Sequence, residues 1–510
     1  MSNGKVAIID IGSNSVRIVI YERTASGAHR IIETNKVATR LGEYLDKDKR
    51  LKQEAVQKLL KAIRYFKSIC EHHQVNHIRT VATAALRFAI NNKQIIAEIK
   101  QKTQLQIELL SGEQEAALGF AGMLQSLTIK NGFLIDIGGG STEISLFKNR
   151  QLLHSVSLPI GCINALQFEQ LYLSTEQLHQ SSLQKYLTNE IKNNPWIEKY
   201  AKFGYRMVGI GGTLRTMATV YQHKSNYVYR NIHNFTMDVT TITHLFDQLC
   251  LLAKDQLGRT AGITRDRTDV ILPGMAILLC LIPLLNVSQL IICSTGLRDG
   301  LYLTMQQKID YRYSPLEESI DNICTLYSPE TISYRNQIKR MATHLLHHLT
   351  ANAPLRSDAY KLLKTAAPLY KIGIYIDYDF YSEHTFYLLL HAKLYGLTHR
   401  EQLLTAAIAA YKTKGLARNQ LHKYNAILHE GDIDLVQKLG TILKVAAALD
   451  RSKQQVIKQI RSEWNEYQYI LHVKTTASLD LELQEIKQLG NEFRRVWGIQ
   501  LVIRVSILHY

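Results

Sequence analysis

The residues best suited to chemistry fall in two short turns of one kind. Asp10-Ile11-Gly12-Ser13-Asn14-Ser15 and Asp136-Ile137-Gly138-Gly139-Gly140-Ser141 both read Asp-Ile-Gly-x-x-Ser, 126 residues apart. A glycine-rich turn lets successive backbone N–H groups converge on an anion, which makes a phosphate nest. Gly138, Gly139 and Gly140 open the main chain to a phosphate, and Ser13, Asn14, Ser15, Ser141 and Thr142 add side-chain donors. The aspartate before each turn, Asp10 or Asp136, suits a hard cation such as magnesium, held directly or through water. One such turn is more often a plain tight hairpin. Two in one chain point to a phosphate site.

A third element supplies a base. In Ser111-Gly112-Glu113-Gln114-Glu115-Ala116 and the helix it opens, Glu115, Gly119 and Gly122 fall on one stripe. Something must approach that stripe closely. Its spacing fits helix packing, with Glu115 a solvated acid, as well as it fits a carboxylate aimed into a cleft to activate water. Further donors are Thr83 to Arg87, the glycine turns at Gly209–Thr213 (with Gly211 and Gly212) and Gly296–Gly300 (with Arg298), and Arg265 and Arg267. Each arginine alone reads as a surface residue. Together they are what spread phosphoryl charge requires.

The elements that hold these residues follow from the apolar pattern. Each Asp-Ile-Gly turn joins an apolar run to an alternating run, Val6–Ile20 and Gly132–Leu146, which predicts two β-hairpins. Two hairpins so far apart predict two similar α/β domains facing each other across a cleft. Lys52–His73 reads as a helix, Ile78–Ala84 as a buried strand, and Ser111 with Gln114 as a capping box. Ser174–Lys199 reads as a polar helical stretch, Met207–Gly212 as a strand and turn, Pro273–Leu285 as a helix and Leu290–Cys293 as a strand. From about Tyr311 strands nearly vanish, and Asn336–Leu349, Glu383–Tyr395, Glu401–Tyr411 and Leu435–Leu449 read as amphipathic helices. Alternation returns at Tyr467–Lys474 and Ile499–Ile507, in a mixed tailpiece. The expected division is 1–128, 129–308, 309–460 and 461–510.

Composition bounds the partners. The 510 residues are 46% apolar and 21% charged, the balance of a globular chain with a real core. The net charge of +17 is spread along the chain and favours polyanions without choosing among them. Six cysteines without paired spacing suit reduced thiols in a cytoplasmic protein. A strand pattern already under way at Val6 leaves no room for a signal peptide. The longest apolar run, Ile271–Val287, is shorter than the roughly 20 residues of a membrane span and contains two prolines. It reads as a core helix, and no membrane contact is expected.

The motifs DIGSNS, ATAALR, LLSGEQEA, DIGGGSTE, SLPIGC, GIGGTLRT, RTDVILPG and STGLRDG occur in that order between Asp10 and Gly300. This set closely resembles the exopolyphosphatase/guanosine pentaphosphatase family. The resemblance implies two ribonuclease H-like domains of the actin, Hsp70 and sugar-kinase type, and magnesium-dependent hydrolysis of a terminal phosphate. By motif it implies Glu115 as catalytic base and Asp136 and Glu143 at the positions of the metal and the water; Asp10, the aspartate before the first turn, joins them as a metal candidate. It implies phosphate binding at Ser13, Asn14, Ser15, Arg87, Gly138 to Ser141, Gly211 and Gly212, and basic substrate contacts at Arg17, Arg267 and Arg298. The first acid of the SGxxEA segment is displaced here to Glu113, which leaves Glu115 as the acid in register.

The C-terminal part resembles the longer members, whose third domain is helical and related to HD-type metal phosphohydrolases. Where an HD pair would stand, this chain has Tyr370-Lys371, which cannot rebuild that metal site. His344, His347 and His348 share a helix at ligand-like spacing without a nearby carboxylate, and read as surface or core histidines. The domain is expected to bind substrate or to form a homodimer. Inorganic polyphosphate is the expected substrate, since the basic balance favours a long polyanion; guanosine pentaphosphate is the alternative. A kinase or ATPase of the same fold would need an adenosine pocket and an acceptor site that the sequence does not show. A phosphate sensor would be expected to lack Glu115 or the metal acids. No specific nucleic acid is expected as a partner.

Overall fold

The computed structural model describes residues 4–75, 77–168, 174–306, 314–328, 330–465 and 467–508. It divides into two compact units, Met1–Pro315 and Leu316–Tyr510. The boundary expected at 308/309 and the change of texture at Tyr311 lie outside the described residues.

The first unit holds two sheets. In one, β1 (Gly4–Ile11), β2 (Val16–Arg23), β3 (His29–Val37), β4 (His77–Ala82) and β5 (Ile107–Leu109) lie in the order β3-β2-β1-β4-β5. The first three are antiparallel, and β4 and β5 run parallel to β1. In the other, β6 (Gly132–Ile137), β7 (Thr142–Lys148), β8 (Gln151–Leu158), β9 (Met207–Ile210), β10 (Phe235–Asp238) and β11 (Gln289–Ile292) lie in the order β8-β7-β6-β9-β11-β10. The second order repeats the first and adds the antiparallel edge strand β10. These are the two similar α/β domains expected from the paired hairpins, in the ribonuclease H-like form that the family resemblance implies.

Both central strands carry a continuous apolar run, Val6–Ile9 and Phe133–Ile135, because both of their faces are covered there. In β1, Ala7, Ile9 and Ile11 join one core cluster with the helix Gln53–His72, while Ile8 between them joins another with Leu301 and Tyr302. In β6, Phe133, Ile135 and Ile137 face the cluster around the helix Ile271–Leu285, and Leu134 faces Phe120 and Met123. Successive side chains therefore serve opposite layers, as strand geometry requires. The Ile271–Leu285 helix is a core element, and among the described residues no helix is long and apolar enough to cross a membrane.

The helix Leu297–Met305 follows the last strand of the second sheet but packs on the first: Tyr302 stacks on Tyr21 with ring centroids 4.1 Å apart. It also lies against the helix Gly112–Leu124, where a Cβ on Gly122 would overlap Gly296 and one on Gly300 would overlap Leu118. The two domains are thereby locked together beside the cleft. The polar stretch 174–199 forms three short helices, Thr175–Leu178, Ser182–Lys192 and Pro195–Ala201. Ser174 and Ser181 each cap a new start, and Pro195 opens the third, so one continuous helix is interrupted twice.

The second unit is helical, with Ile332–Asn352, Ala359–Ala366, Tyr381–His391, His399–Ala409 and Asp432–Ala448 as its main helices. It ends in a small sheet of order β12-β13-β14, formed by β12 (Ile457–Trp464), β13 (Gln468–Thr475) and β14 (Gln500–Ile507). The helix Asp480–Trp497 makes the crossover between the parallel strands β13 and β14.

Candidate active site

The two Asp-Ile-Gly turns have the same internal geometry. Gly12 N donates to Ser15 O at 3.1 Å, and Gly138 N donates to Ser141 O at 2.9 Å. Asp10 pairs across its hairpin with Arg17, and Asp136 pairs with Glu143 at the same offset. The turns meet tip to tip: a Cβ on Gly139 would lie 3.0 Å from Ser13 Cβ, and one on Gly140 2.7 Å from Ser13 Oγ. The bare glycines thus admit the opposite turn as well as leaving backbone beside the cleft.

A cavity of about 130 Å³ opens where they meet. Its wall includes Asp10, Gly12 to Ser15, Arg17, Glu115, Asp136 to Ser141, Gly211, Gly212, Arg267 and Arg298. The structure therefore brings to one wall fifteen of the seventeen residues expected at the catalytic, phosphate and metal positions, all except Arg87 and Glu143, which stand behind Glu115. Asn14 is nearly buried, and both polar atoms of its amide lack a hydrogen-bond partner. A buried amide left open beside a cavity is costly unless something arrives to satisfy it.

Glycine is needed at the third turn for a different reason. Gly211 has φ of 85°, the left-handed region, and a Cβ there would overlap Asp136 Oδ1. A Cβ on Gly212 would overlap Arg267 Nη2. These two positions let a carboxylate and a guanidinium lie directly on the start of the helix Gly211–Lys224.

Glu115 sits in the first turn of the helix Gly112–Leu124, whose start is fixed by the Ser111–Gln114 capping box. The two readings of its stripe both contain part of the answer. Gly119 and Gly122 are bare because Ile210 and Gly296 pack against them. Glu115 itself is no solvated acid: its side chain is 12% exposed and lines the cavity. Arg87 Nη1 donates to Glu115 Oε2 at 2.8 Å and to the Leu110 carbonyl at 3.1 Å. The other arm of Arg87, Nη2, lies 3.7 Å from Glu143 Oε1 and 3.4 Å from Ser157 Oγ. Ser157 in turn donates to Glu143 Oε1 at 2.7 Å.

Burial sets the electrostatics. It pushes Asp136 up to about 6, with the charge of Asp10 adding to the rise and Arg215 opposing it. Burial, then the charge of Asp136, pushes Glu143 up to about 7. Glu115 is held well above the ordinary carboxylate range by burial and by Glu143, against the pull of Arg87. On the basic side, burial lowers Arg17 to about 9, and repulsion from Arg298, Arg215 and Arg267 deepens the shift. Four guanidiniums crowded enough to repel one another form a site prepared for a multivalent anion.

Arg215 was missed from the sequence, although it lies within the GIGGTLRT motif. One turn after Gly211, it curls back to donate from Nε to the Gly211 carbonyl at 2.8 Å and from Nη1 to the Ser294 carbonyl at 3.0 Å. Its place four residues after a cavity glycine, on one helix face, was the available signal. Asp10 is engaged by Arg298 Nη1 at 3.0 Å. Two carboxylates at the wall, with phosphate oxygens and water completing the shell, suit magnesium, which rarely uses an all-protein cage. Among the described residues no group of three or more His, Cys, Asp or Glu side chains gathers around a metal position.

In the second unit, His344 Nε2 lies 2.9 Å from Ser462 Oγ and His347 Nδ1 lies 3.2 Å from Tyr360 OH. The Lys371 ammonium stands over the rings of Tyr370 and Tyr381, 5.2 and 4.8 Å from their centroids. All six cysteines are free.

Known proteins are similar to this chain in sequence and fold. The profile of the Ppx/GppA phosphatase family matches residues 19–309, and that of the family's domain III matches residues 317–490. The Ppx/GppA family member of Aquifex aeolicus is 26% identical over 61% of this chain and 100% of its own, with a TM-score of 0.51. An exopolyphosphatase from Cytophaga hutchinsonii shares the fold over 60% of this chain and 99% of its own, at 20% identity and a TM-score of 0.55. The first profile runs from β2 through the helix that carries Arg298, and with domain III the match takes in most of the chain: the chain belongs to the Ppx/GppA phosphatase family.

Proposed function

We propose that this chain removes the terminal phosphate of inorganic polyphosphate by magnesium-assisted hydrolysis, with Glu115 as general base. The observation that carries the proposal is the placing of a buried, arginine-held carboxylate on the same cavity wall as two phosphate turns and four guanidiniums. Arg17, Arg215, Arg267 and Arg298 spread positive charge around the terminal phosphoryl group. Ser13, Ser15, Ser141 and the open amide of Asn14 hold its oxygens, and the turns present their backbone N–H groups. Glu115, anchored at Oε2 by Arg87, takes a proton from water at Oε1. The water oxygen attacks phosphorus in line as the bond to the bridging oxygen breaks, leaving orthophosphate and a chain one unit shorter. Magnesium, held by Asp10 and Asp136, would neutralise phosphate charge. The raised affinity of Glu115 for a proton suits a base that works near neutral pH.

Two features support polyphosphate over guanosine pentaphosphate. The net charge of +17 suits a long polyanion. The described wall of the cavity also carries no aromatic ring on which a base could stack. Phosphate release from polyphosphate and from guanosine pentaphosphate, measured side by side, tests the reading. A higher kcat/KM on polyphosphate is expected; preference for the nucleotide would replace it with the alternative.

A further inference from the structure

The proposed reaction needs Glu115 held in one orientation, yet the side chain that grips it directly among the described residues is the long and flexible Arg87. Arg87 is fixed at one end by Glu115 and the Leu110 carbonyl. At the other end Nη2 meets the Ser157 hydroxyl, with the Glu143 carboxylate 3.7 Å away behind it. Ser157 Oγ has one proton, which it donates to Glu143 Oε1 at 2.7 Å, and lone pairs that face Arg87 Nη2 at 3.4 Å. Glu143 and Ser157 are cross-strand partners of β7 and β8, so the sheet places this pair rigidly. Ser157 also touches the helix that carries the base: a Cβ on Gly112 would overlap Ser157 Cβ. Gly112 is the first residue of that helix, three positions before Glu115.

We infer that Ser157 is a positioning residue for the reaction, acting through Arg87 and through the seat of the Gly112 helix to hold Glu115 towards the attacking water. This rests on Glu115 being the base. Neither Ser157, Arg87 nor Glu143 is part of the cavity wall, so the residue serves the geometry of the base and not the grip on substrate. Without the hydroxyl, the second arm of the guanidinium keeps only the 3.7 Å charge contact with Glu143 and can pivot, and a misplacement of about 1 Å at a reacting group can cost on the order of 10²-fold in rate.

The test is a set of three variants in the full chain, assayed for phosphate release from tripolyphosphate with melting temperature as a control. Ser157→Val removes the hydroxyl but keeps a shape suited to a strand. It should lower kcat by roughly 10- to 100-fold and leave KM within about twofold. Ser157→Thr restores the hydroxyl on a nearly identical shape and should return kcat to within about threefold of the parent, which a purely steric role for the site would not do. Ser157→Ala, which removes the hydroxyl without added bulk, guards against a packing failure of the valine variant and should behave as the valine does. The effect of Ser157→Val should shrink to less than about twofold in an Arg87→Met background, because the partner it acts through is gone. Parental kcat in both Ser157→Val and Ser157→Ala overturns the inference, as does an undiminished loss in the Arg87→Met background. Failure of the base itself is distinguishable, because Glu115→Gln would then retain turnover whatever Ser157 variants do.

Discussion

Replacing Gly211 and Gly212 singly by alanine should separate two jobs done by adjacent residues. Gly211 has φ of 85°, where an L side chain costs about 1–2 kcal/mol. Its new Cβ would also overlap Asp136 Oδ1, so the carboxylate must swing aside by about an atomic radius. The strain should lower the first unfolding transition by about 2–6 °C. Moving a proposed metal-holding carboxylate by about 1 Å should lower kcat by roughly 10²-fold. At Gly212 the backbone is not left-handed, and the atom in the way is the far end of Arg267. That guanidinium can move, so the melting temperature of Gly212→Ala should stay within about 1 °C of the parent. Losing the proposed charged hydrogen bonds from Arg267 to substrate should raise KM by roughly 10- to 100-fold while kcat changes little. Initial rates of phosphate release across substrate and magnesium concentrations, with calorimetry on the same preparations, give all four numbers. Parental kcat and KM in Gly211→Ala, or the same defect in both variants, would refute the placing of Asp136 and Arg267 in separate roles.

Glu115→Gln should keep the fold and substrate binding but lower turnover by roughly 10²–10⁴-fold, and near-parental turnover would remove it as the base. Asp136→Asn should raise the magnesium concentration needed for half-maximal rate; an unchanged titration would place the cation elsewhere. The same variant tests the electrostatics without metal. The carboxyl of Asp136 is raised from 3.8 to about 6 in the folded protein, so its ionisation opposes folding; that cost is absent below about pH 4 and complete above about pH 6. Asn should therefore raise the melting temperature at pH 8 and leave it unchanged at pH 4, and an equal gain at both would contradict the burial argument. Apparent affinity for long polyphosphate should fall more steeply with salt than affinity for tripolyphosphate, and equal slopes would count against a long-chain substrate.

Much of the fold was legible because the repeat carries two kinds of information at once. The alternation on each side of Asp10 and Asp136 encodes a hairpin, and the recurrence of the turn encodes a duplicated sheet. Among the strands that escaped notice, β3 and β12 lack an apolar period. No residue of β3 is fully buried, and β12 buries only Ile457 among eight residues, so both are held by pairing along one edge. Edge strands of this kind are specified by their neighbours' hydrogen bonds more than by their own side chains. The helix Gly211–Lys224 was hidden similarly, since its first turn is spent on a glycine pair that serves the cavity.

The site was legible to the extent that its residues sit in local turns, and it became illegible where they act across the chain. Ser13, Asn14 and Gly138 to Ser141 could be chosen from type and spacing alone, because a nest is made by consecutive residues. Glu115 could not be decided that way: its flanking glycines answer to Ile210 and Gly296, which are 91 and 174 positions further along from Gly119 and Gly122. The spacing that drew attention to the stripe was thus caused by packing, while the acid on it faces the cavity for another reason, the grip of Arg87. That grip depends on Ser157 and Glu143, paired across a hairpin that begins after the Gly112 helix has ended. The proposed base is thus held by Arg87 from one segment and by Glu143 and Ser157 from a later hairpin, and no local window of the sequence contains all three.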